Sequence, residues 1–253
     1  MLNRAAWIAC WGAFGLVWLR ALVPGVILPS HDWPEALFLV TSVASSLSNA
    51  CRQRPSQSVV LAAAVIMGGA ILTGLLFSWP KSPLTAMEFA PALGPRVGGS
   101  LPWSIPLFWL VTILNARGVA RLLLRGRKSR ENVGYETLGV GIGLALALLW
   151  SAWGMATGAR ESIRPVPNIS MVLVFGALGV TTGLLLAVTA VLLLNKKPGP
   201  EPAEWQSLGT WWLMNLLLGT WAVRDRLWIA ALICLAQIVV PGYLAWRGRQ
   251  LGG

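Results

Sequence analysis

Long apolar runs alternate with short polar segments along the whole chain. About twenty helical residues cross the hydrocarbon core of a bilayer, so each long apolar run is a candidate transmembrane helix. The pattern predicts an all-α fold, a polytopic transmembrane helix bundle that forms one integral membrane domain over residues 1–253. We predict about eight spans, with seven as the alternative, at residues 4–23, 34–50, 58–79, 103–124, 136–158, 169–195, 208–223 and 227–246.

The second run is the weakest of the eight because serine, threonine and asparagine residues give it a polar side. Small hydroxyl residues in membrane helices usually pack helix against helix. Such a face can also line a polar cavity, so both interpretations stay open. If this run did not cross the membrane, seven spans would remain and every later segment would change sides.

The composition of the fourth run changes along its length. Its first half is apolar and aromatic, whereas its second half carries Asn115, Arg117, Arg121 and Arg125. Charged residues inside a membrane helix are costly, so they usually face protein, water or ligand. Arg117 and Arg121 are four residues apart and share a helix face. They can instead extend to the headgroups, and Asn115 can form an interhelical hydrogen bond.

Composition supports a membrane protein, since only 11% of the residues are charged and the mean hydropathy is +0.66. Soluble domains contain about 25% charged residues. The net charge is +11, but the basic residues lie between apolar runs, which favours membrane lipids over nucleic acid as the partner. With eight spans, twelve basic residues share the side of Arg4, which predicts cytoplasmic termini. Arg117 is intramembrane, and seven lie opposite: Arg20, Lys81, Arg96, Arg160, Arg164, Arg224 and Arg226.

Metal chemistry has little support in the sequence. His31 is the only histidine, and the three cysteines form no CxxC pair. This composition excludes a multi-histidine metal site within the chain, and we predict no metal site. Through its imidazole, His31 can ligate at most one chlorophyll, so it is a candidate pigment ligand and a main antenna role is disfavoured.

Four segments carry a family resemblance. They are PLFWLVTILNARGVARLLLR, the preceding LGPRVGGSLPWSIPL, the later VTTGLLLAVTAVLLLNKKPGP and the tryptophan-rich run that follows it. Together they resemble the bacterial membrane carotenoid biosynthesis protein family, which includes hydratases that add water to the terminal double bond of acyclic carotenoids. The resemblance implies a multi-pass protein of the bacterial inner (cytoplasmic) membrane that interacts with carotenoid.

Hydration of an unactivated double bond requires a positioned acid to protonate it and a base for the water. All nine acidic residues of this chain lie in loops or at the ends of the predicted spans. By resemblance, many family members carry an aspartate and a glutamate where this chain has Ser151 and Ala156. The remaining catalytic candidates are Glu88, Glu136 and Asp32.

We therefore expect a non-catalytic member that binds a carotenoid or lipid, or that serves as an accessory or scaffold subunit of a pigment-containing, photosynthetic membrane complex. The alternative is an active carotenoid hydratase, and we leave open whether the chain is an enzyme. We expect no covalent cofactor, a possible bound carotenoid, chlorophyll or lipid, and other membrane subunits as partners. The candidate ligand-binding residues are Asn115, Arg117, Arg121, Trp109, Trp150 and Trp153.

Overall fold

The computed structural model describes residues 2–22, 33–79, 87–89, 95–124, 133–158, 163–165, 171–193 and 203–251. Within these residues the chain forms an all-α bundle, as the sequence predicted. Its eight helices are α1 (Leu2–Leu22), α2 (Trp33–Gln53), α3 (Ser56–Ser78), α4 (Ser104–Leu123), α5 (Val133–Gly158), α6 (Met171–Leu192), α7 (Ala203–Arg224) and α8 (Trp228–Leu251). Six of these, all except α2 and α7, are long and apolar enough to cross a membrane.

The helix bounds follow the apolar runs closely except at α7 and α8. Helix α7 begins at Ala203 rather than at residue 208, and α8 continues to Leu251 rather than ending at residue 246. The early start of α7 has a physical reason. Its polar first turns are not a solvated linker, because Gln206 donates a hydrogen bond of 2.9 Å to the Ser45 hydroxyl of α2.

Helix α4 lies at the centre of the bundle. Its membrane-length segment is 67% buried, whereas those of the other five span candidates are only 22–28% buried. It packs mainly against α2, α3, α5 and α7. The peripheral helices turn large apolar side chains outwards, among them Ile229, Leu72 and Val180. An apolar exterior around a packed interior is the arrangement that surrounding lipid favours.

Helices α2 and α7 are the two that fall short of the apolar composition of a typical span. Their polar residues are buried inside the bundle: Ser42, Ser45, Ser46 and Asn49 in α2, and Ser207, Thr210 and Asn215 in α7. Polar side chains at membrane depth are tolerated where they face protein. The polar side of the second apolar run therefore packs helix against helix, which was the first of the two interpretations of this run.

Short strands, which the sequence analysis did not predict, occur in two connections. Strand β1 (Met87–Phe89) pairs antiparallel with β4 (Ile163–Pro165) and so joins the connection after α3 to the one after α5. Strands β2 (Arg96–Val97) and β3 (Leu101–Pro102) form a small hairpin just before α4. Its turn uses Gly98 and Gly99 at φ +60° and +76°, values that a glycine adopts without steric cost.

Candidate functional site

The sequence motif Asn115–Arg121, NARGVAR, lies in the second half of the central helix α4. Asn115 is buried, and its side-chain nitrogen donates hydrogen bonds of 2.8 Å to the Ser46 hydroxyl of α2 and to the Val111 carbonyl of its own helix. The interhelical hydrogen bond that the sequence offered as an alternative role for Asn115 is therefore present.

The small residues of the motif allow two other helices to approach α4. A Cβ atom added at Gly118 would lie 2.6 Å from the Cβ of Ser207, so α7 passes directly over this position. On another face, a Cβ added to Gly141 of α5 would lie 3.8 Å from the Cβ of Ala120 and 3.9 Å from the Ala116 carbonyl oxygen. Close backbone approach through small residues is characteristic of packed membrane helices.

Arg117 contacts a fourth helix. Its guanidinium donates a hydrogen bond of 2.9 Å from Nη2 to the carbonyl of Leu193, which directly follows α6. The last carbonyls of a helix have no partner within the helix and carry partial negative charge, so a cation is favourable there. Arg121 lies half-buried in the last turn of α4. The motif thus connects α4 to α2, α5, α6 and α7.

A larger network of polar residues surrounds the Asn115 contact. Gln206 of α7 donates to the Ser45 hydroxyl and accepts a 2.9 Å hydrogen bond from Asn3 of α1. Asn49 donates to the Ser207 hydroxyl at 3.3 Å. We call this set the polar junction; it consists of Asn3, Ser45, Ser46, Asn49, Asn115, Gln206 and Ser207. Its hydrogen bonds join α1, α2, α4 and α7.

The tryptophans proposed from the sequence occupy different environments. Trp109 is buried in the core at 5% exposure. Trp150 of α5 is 53% exposed at the bundle surface and stacks on Phe175 of α6, with ring centroids 4.3 Å apart and an interplanar angle of 30°. Trp109 and Trp150 therefore do not form one continuous aromatic surface. Trp153 lies on α5, but its side chain is outside the described part of the chain.

The two candidate carboxylates that the structure describes, Glu88 and Glu136, do not converge. Glu88 is exposed on β1, opposite Arg164 of β4, beyond the end of α5. Glu136 lies in the first turn of α5, at the opposite end of that helix. Asp32 and the candidate pigment ligand His31 lie outside the described residues. Among the described residues, no group of three or more histidine, cysteine, aspartate or glutamate side chains is placed to hold a metal ion.

Comparison with known protein families gives a match. A model of the family described as "Carotenoid biosynthesis protein" matches residues 34–153. Over this range the chain is similar to the carotenoid biosynthesis protein family. The match runs from α2 to near the end of α5 and includes the whole NARGVAR motif. No curated protein and no solved structure matches the chain significantly.

Three buried polar residues in the last two helices were not among the predicted site residues. Trp211 and Asn215 of α7 and Gln237 of α8 are at most 6% exposed, yet each has a side-chain polar atom without a hydrogen-bond partner in the described structure. In the sequence, an asparagine or glutamine inside an apolar run indicates a candidate buried polar residue. The sequence alone does not show whether such amides are paired.

Proposed function

We propose that this carotenoid biosynthesis protein binds a carotenoid or related lipid without hydrating it, and acts as an accessory scaffold subunit of a pigment-containing, photosynthetic membrane complex. The observation that carries the proposal is the placement of Glu88 and Glu136 at opposite ends of α5. The polar groups of the NARGVAR motif support it as well, because Asn115 and Arg117 hold helices together.

The separation of the two carboxylates can be estimated from the helix between them. Glu136 precedes Gly158, the end of α5, by 22 residues, which corresponds to about 33 Å at 1.5 Å per residue. Glu88 lies beyond that end, on the strand that pairs with β4. A general acid and base must both lie within hydrogen-bonding reach of the reacting atoms or of one intervening water. Glu88 and Glu136 therefore do not form an acid–base pair on one double bond.

The surface beside Trp150 supports polyene binding. The Trp150–Phe175 stack joins α5 and α6, and half of the Trp150 surface remains open at the bundle exterior. A conjugated chain is flat and apolar, so it can lie along such a surface with little desolvation of polar groups. We place the polyene along the α5–α6 surface, in contact with Trp150.

The proposal includes a topology. Helices α2 and α7 pack along α4 with their polar residues buried, which supports eight crossings rather than six. With eight crossings, the excess of basic residues on the Arg4 side supports a bacterial inner-membrane protein with both termini in the cytoplasm. A reporter at the C-terminus should be active in the cytoplasm; an external reporter would contradict this orientation.

Pigment analysis in a lycopene-producing host tests the function. We expect lycopene to remain chemically unchanged and to co-purify with the protein, giving carotenoid bands in its absorption spectrum. The second candidate is an active carotenoid hydratase, which the resemblance of the NARGVAR segment implies. Hydroxylated product that disappears with Glu88→Gln or Asp32→Asn would establish that candidate and refute the non-catalytic proposal.

A pair of tryptophan variants tests the binding surface. Trp150→Leu should reduce the co-purified carotenoid several-fold, because the open ring next to Phe175 is lost. Trp246→Leu is the matched control, since Trp246 of α8 is 55% exposed but lies on another helix. Equal pigment yields from both variants would remove Trp150 from the binding surface.

A further inference from the structure

Three residues of α7 and α8 have buried polar atoms without partners in the described structure. The side-chain oxygen of Asn215, both amide atoms of Gln237 and the indole nitrogen of Trp211 are enclosed and have no hydrogen-bond partner among the described residues. We call these three residues the amide seam. A buried polar group that lacks a partner is costly, so each such group in a native structure needs an explanation.

Two contacts fix the relative position of α7 and α8. At one end, a Cβ added to Gly219 would lie 3.3 Å from the Cβ of Cys234. At the other, Trp212 donates a hydrogen bond of 3.2 Å to the Ile238 carbonyl. Asn215 lies between Trp212 and Gly219, so the antiparallel arrangement brings it to the depth of Gln237. Both residues lie near the middle of their helices.

The neighbourhood of the seam extends to α5. Cys234 lies one turn before Gln237 on α8, and its thiol lies close to the Ser151 hydroxyl of α5. Ser151 is fully buried and directly follows Trp150, the residue proposed to contact the polyene. Gln237 and Trp150 therefore lie at a similar depth in the membrane.

Pro241 provides an independent observation. It lies inside α8 and is buried. Proline has no N–H, so the carbonyl four residues earlier, which belongs to Gln237, loses its helical hydrogen bond. In membrane helices such freed carbonyls are satisfied by neighbouring groups or ordered water. Both the side chain and the main chain of Gln237 thus require partners from outside their helix.

The balance of donors and acceptors identifies the chemistry of the missing partner. The acceptors are Asn215 Oδ1, Gln237 Oε1 and the Gln237 carbonyl, and the donors are the Gln237 amide and the Trp211 indole N–H. If one N–H of the Gln237 amide pairs with Asn215, two acceptors, the second amide N–H and the indole N–H remain. A carbonyl ligand only accepts and leaves those acceptors unpaired, whereas a hydroxyl group both donates and accepts.

We propose that the amide seam binds the hydroxyl group of a hydroxylated polyene between α7 and α8. This inference rests on the proposed function, because the polyene is the ligand assigned there. Ordered water offers the same O–H chemistry, so the experiment distinguishes the two sources. The seam lies outside the family-matched residues 34–153, so it is a property of this chain's C-terminal helices.

Binding of two polyenes that differ by one hydroxyl group tests the inference. The purified protein in detergent is titrated with lycopene and with the acyclic carotenoid that carries one terminal hydroxyl, and tryptophan quenching reports binding. We expect the hydroxylated polyene to bind about tenfold more tightly, equivalent to about 1.4 kcal/mol. Gln237→Met should remove this preference while leaving the affinity for lycopene unchanged within about twofold.

Further variants keep the test decisive. Asn215→Leu removes the facing acceptor, and Pro241→Ala restores the N–H for the Gln237 carbonyl; both should lower the preference. Val239→Met is the matched control on the exposed face of α8 and should keep it.

The outcomes separate this inference from the function on which it rests. If neither polyene binds, the proposed function fails and this inference with it. Equal affinities in the unmodified protein overturn this inference alone. A preference that survives Gln237→Met and Asn215→Leu also overturns it. If these variants lower only the melting temperature and leave polyene selectivity unchanged, the seam holds water instead.

Discussion

The polar junction and the amide seam share α7 but differ in their hydrogen bonding. In the junction, Asn115 reaches Ser46 and Gln206 reaches Ser45, so amide groups from different helices have hydroxyl partners. In the seam, Asn215 and Gln237 are buried, but their side chains retain polar atoms without partners in the described structure. Burial of polar residues in a membrane bundle therefore does not by itself distinguish a packing contact from a ligand site.

The two regions should contribute with opposite signs to the free energy of unfolding of the ligand-free protein. Hydrogen bonds between membrane helices contribute about 0.6 kcal/mol on average and up to about 1.7 kcal/mol. An unsatisfied buried group costs about 1–3 kcal/mol. The junction should thus stabilise the ligand-free protein, whereas the seam should destabilise it until a partner binds.

The largest effect is expected at the closest helix contact of the junction. Gly118→Val places two methyl groups where Ser207 already lies, so it should destabilise the protein by about 3 kcal/mol through overpacking. Thermal unfolding in detergent measures the effect. Gly143→Val is the control, because a Cβ at Gly143 of α5 meets nothing within 4 Å. Similar losses from both variants would contradict a special role for Gly118.

The hydrogen bond across the junction should produce the next largest effect. Asn115→Ala removes the bond to Ser46 and should cost about 1–2 kcal/mol. A double-mutant cycle with Ser46→Ala isolates the pair, and we expect a coupling free energy of about 0.6 kcal/mol. Additive single-variant effects would show that this contact contributes no net free energy.

The seam should respond in the opposite direction. Gln237→Met retains most of the side-chain volume and removes the unpaired amide, so ligand-free protein should gain up to about 1 kcal/mol of stability. The gain should vanish or reverse when the hydroxylated polyene is present. Destabilisation by Gln237→Met in the absence of ligand would mean that the amide already has a partner, such as bound water.

The smallest effect is expected at the surface ion pair between α1 and α2. Arg20 lies 2.9 Å from Glu35, but both side chains remain about one third exposed, so Arg20→Gln should cost about 0.5 kcal/mol or less. Unfolding at low and at high salt checks this, because added salt should reduce the difference. A large, salt-independent loss would show that Arg20 has a structural role beyond this ion pair.

The sequence predicted the helical bundle because apolar runs of membrane length are a direct signal. It also offered helix packing for the polar side of α2, since hydroxyl residues commonly serve that purpose. It did not distinguish Trp109 from Trp150, because helical periodicity is uninformative when every face of a helix is apolar. The β1–β4 pairing was missed because its two strands are three residues long and lie 74 residues apart.

That strand pairing has a mechanical consequence. Met87–Phe89 and Ile163–Pro165 fasten the connections that follow α3 and α5 to each other. While the strands stay paired, the ladder restrains the separation of these two connections. Helix α8 packs against α5 and α7 and borders the seam, and no strand of the described structure restrains it. We therefore expect α8, rather than α3 or α5, to move when a long molecule enters the bundle.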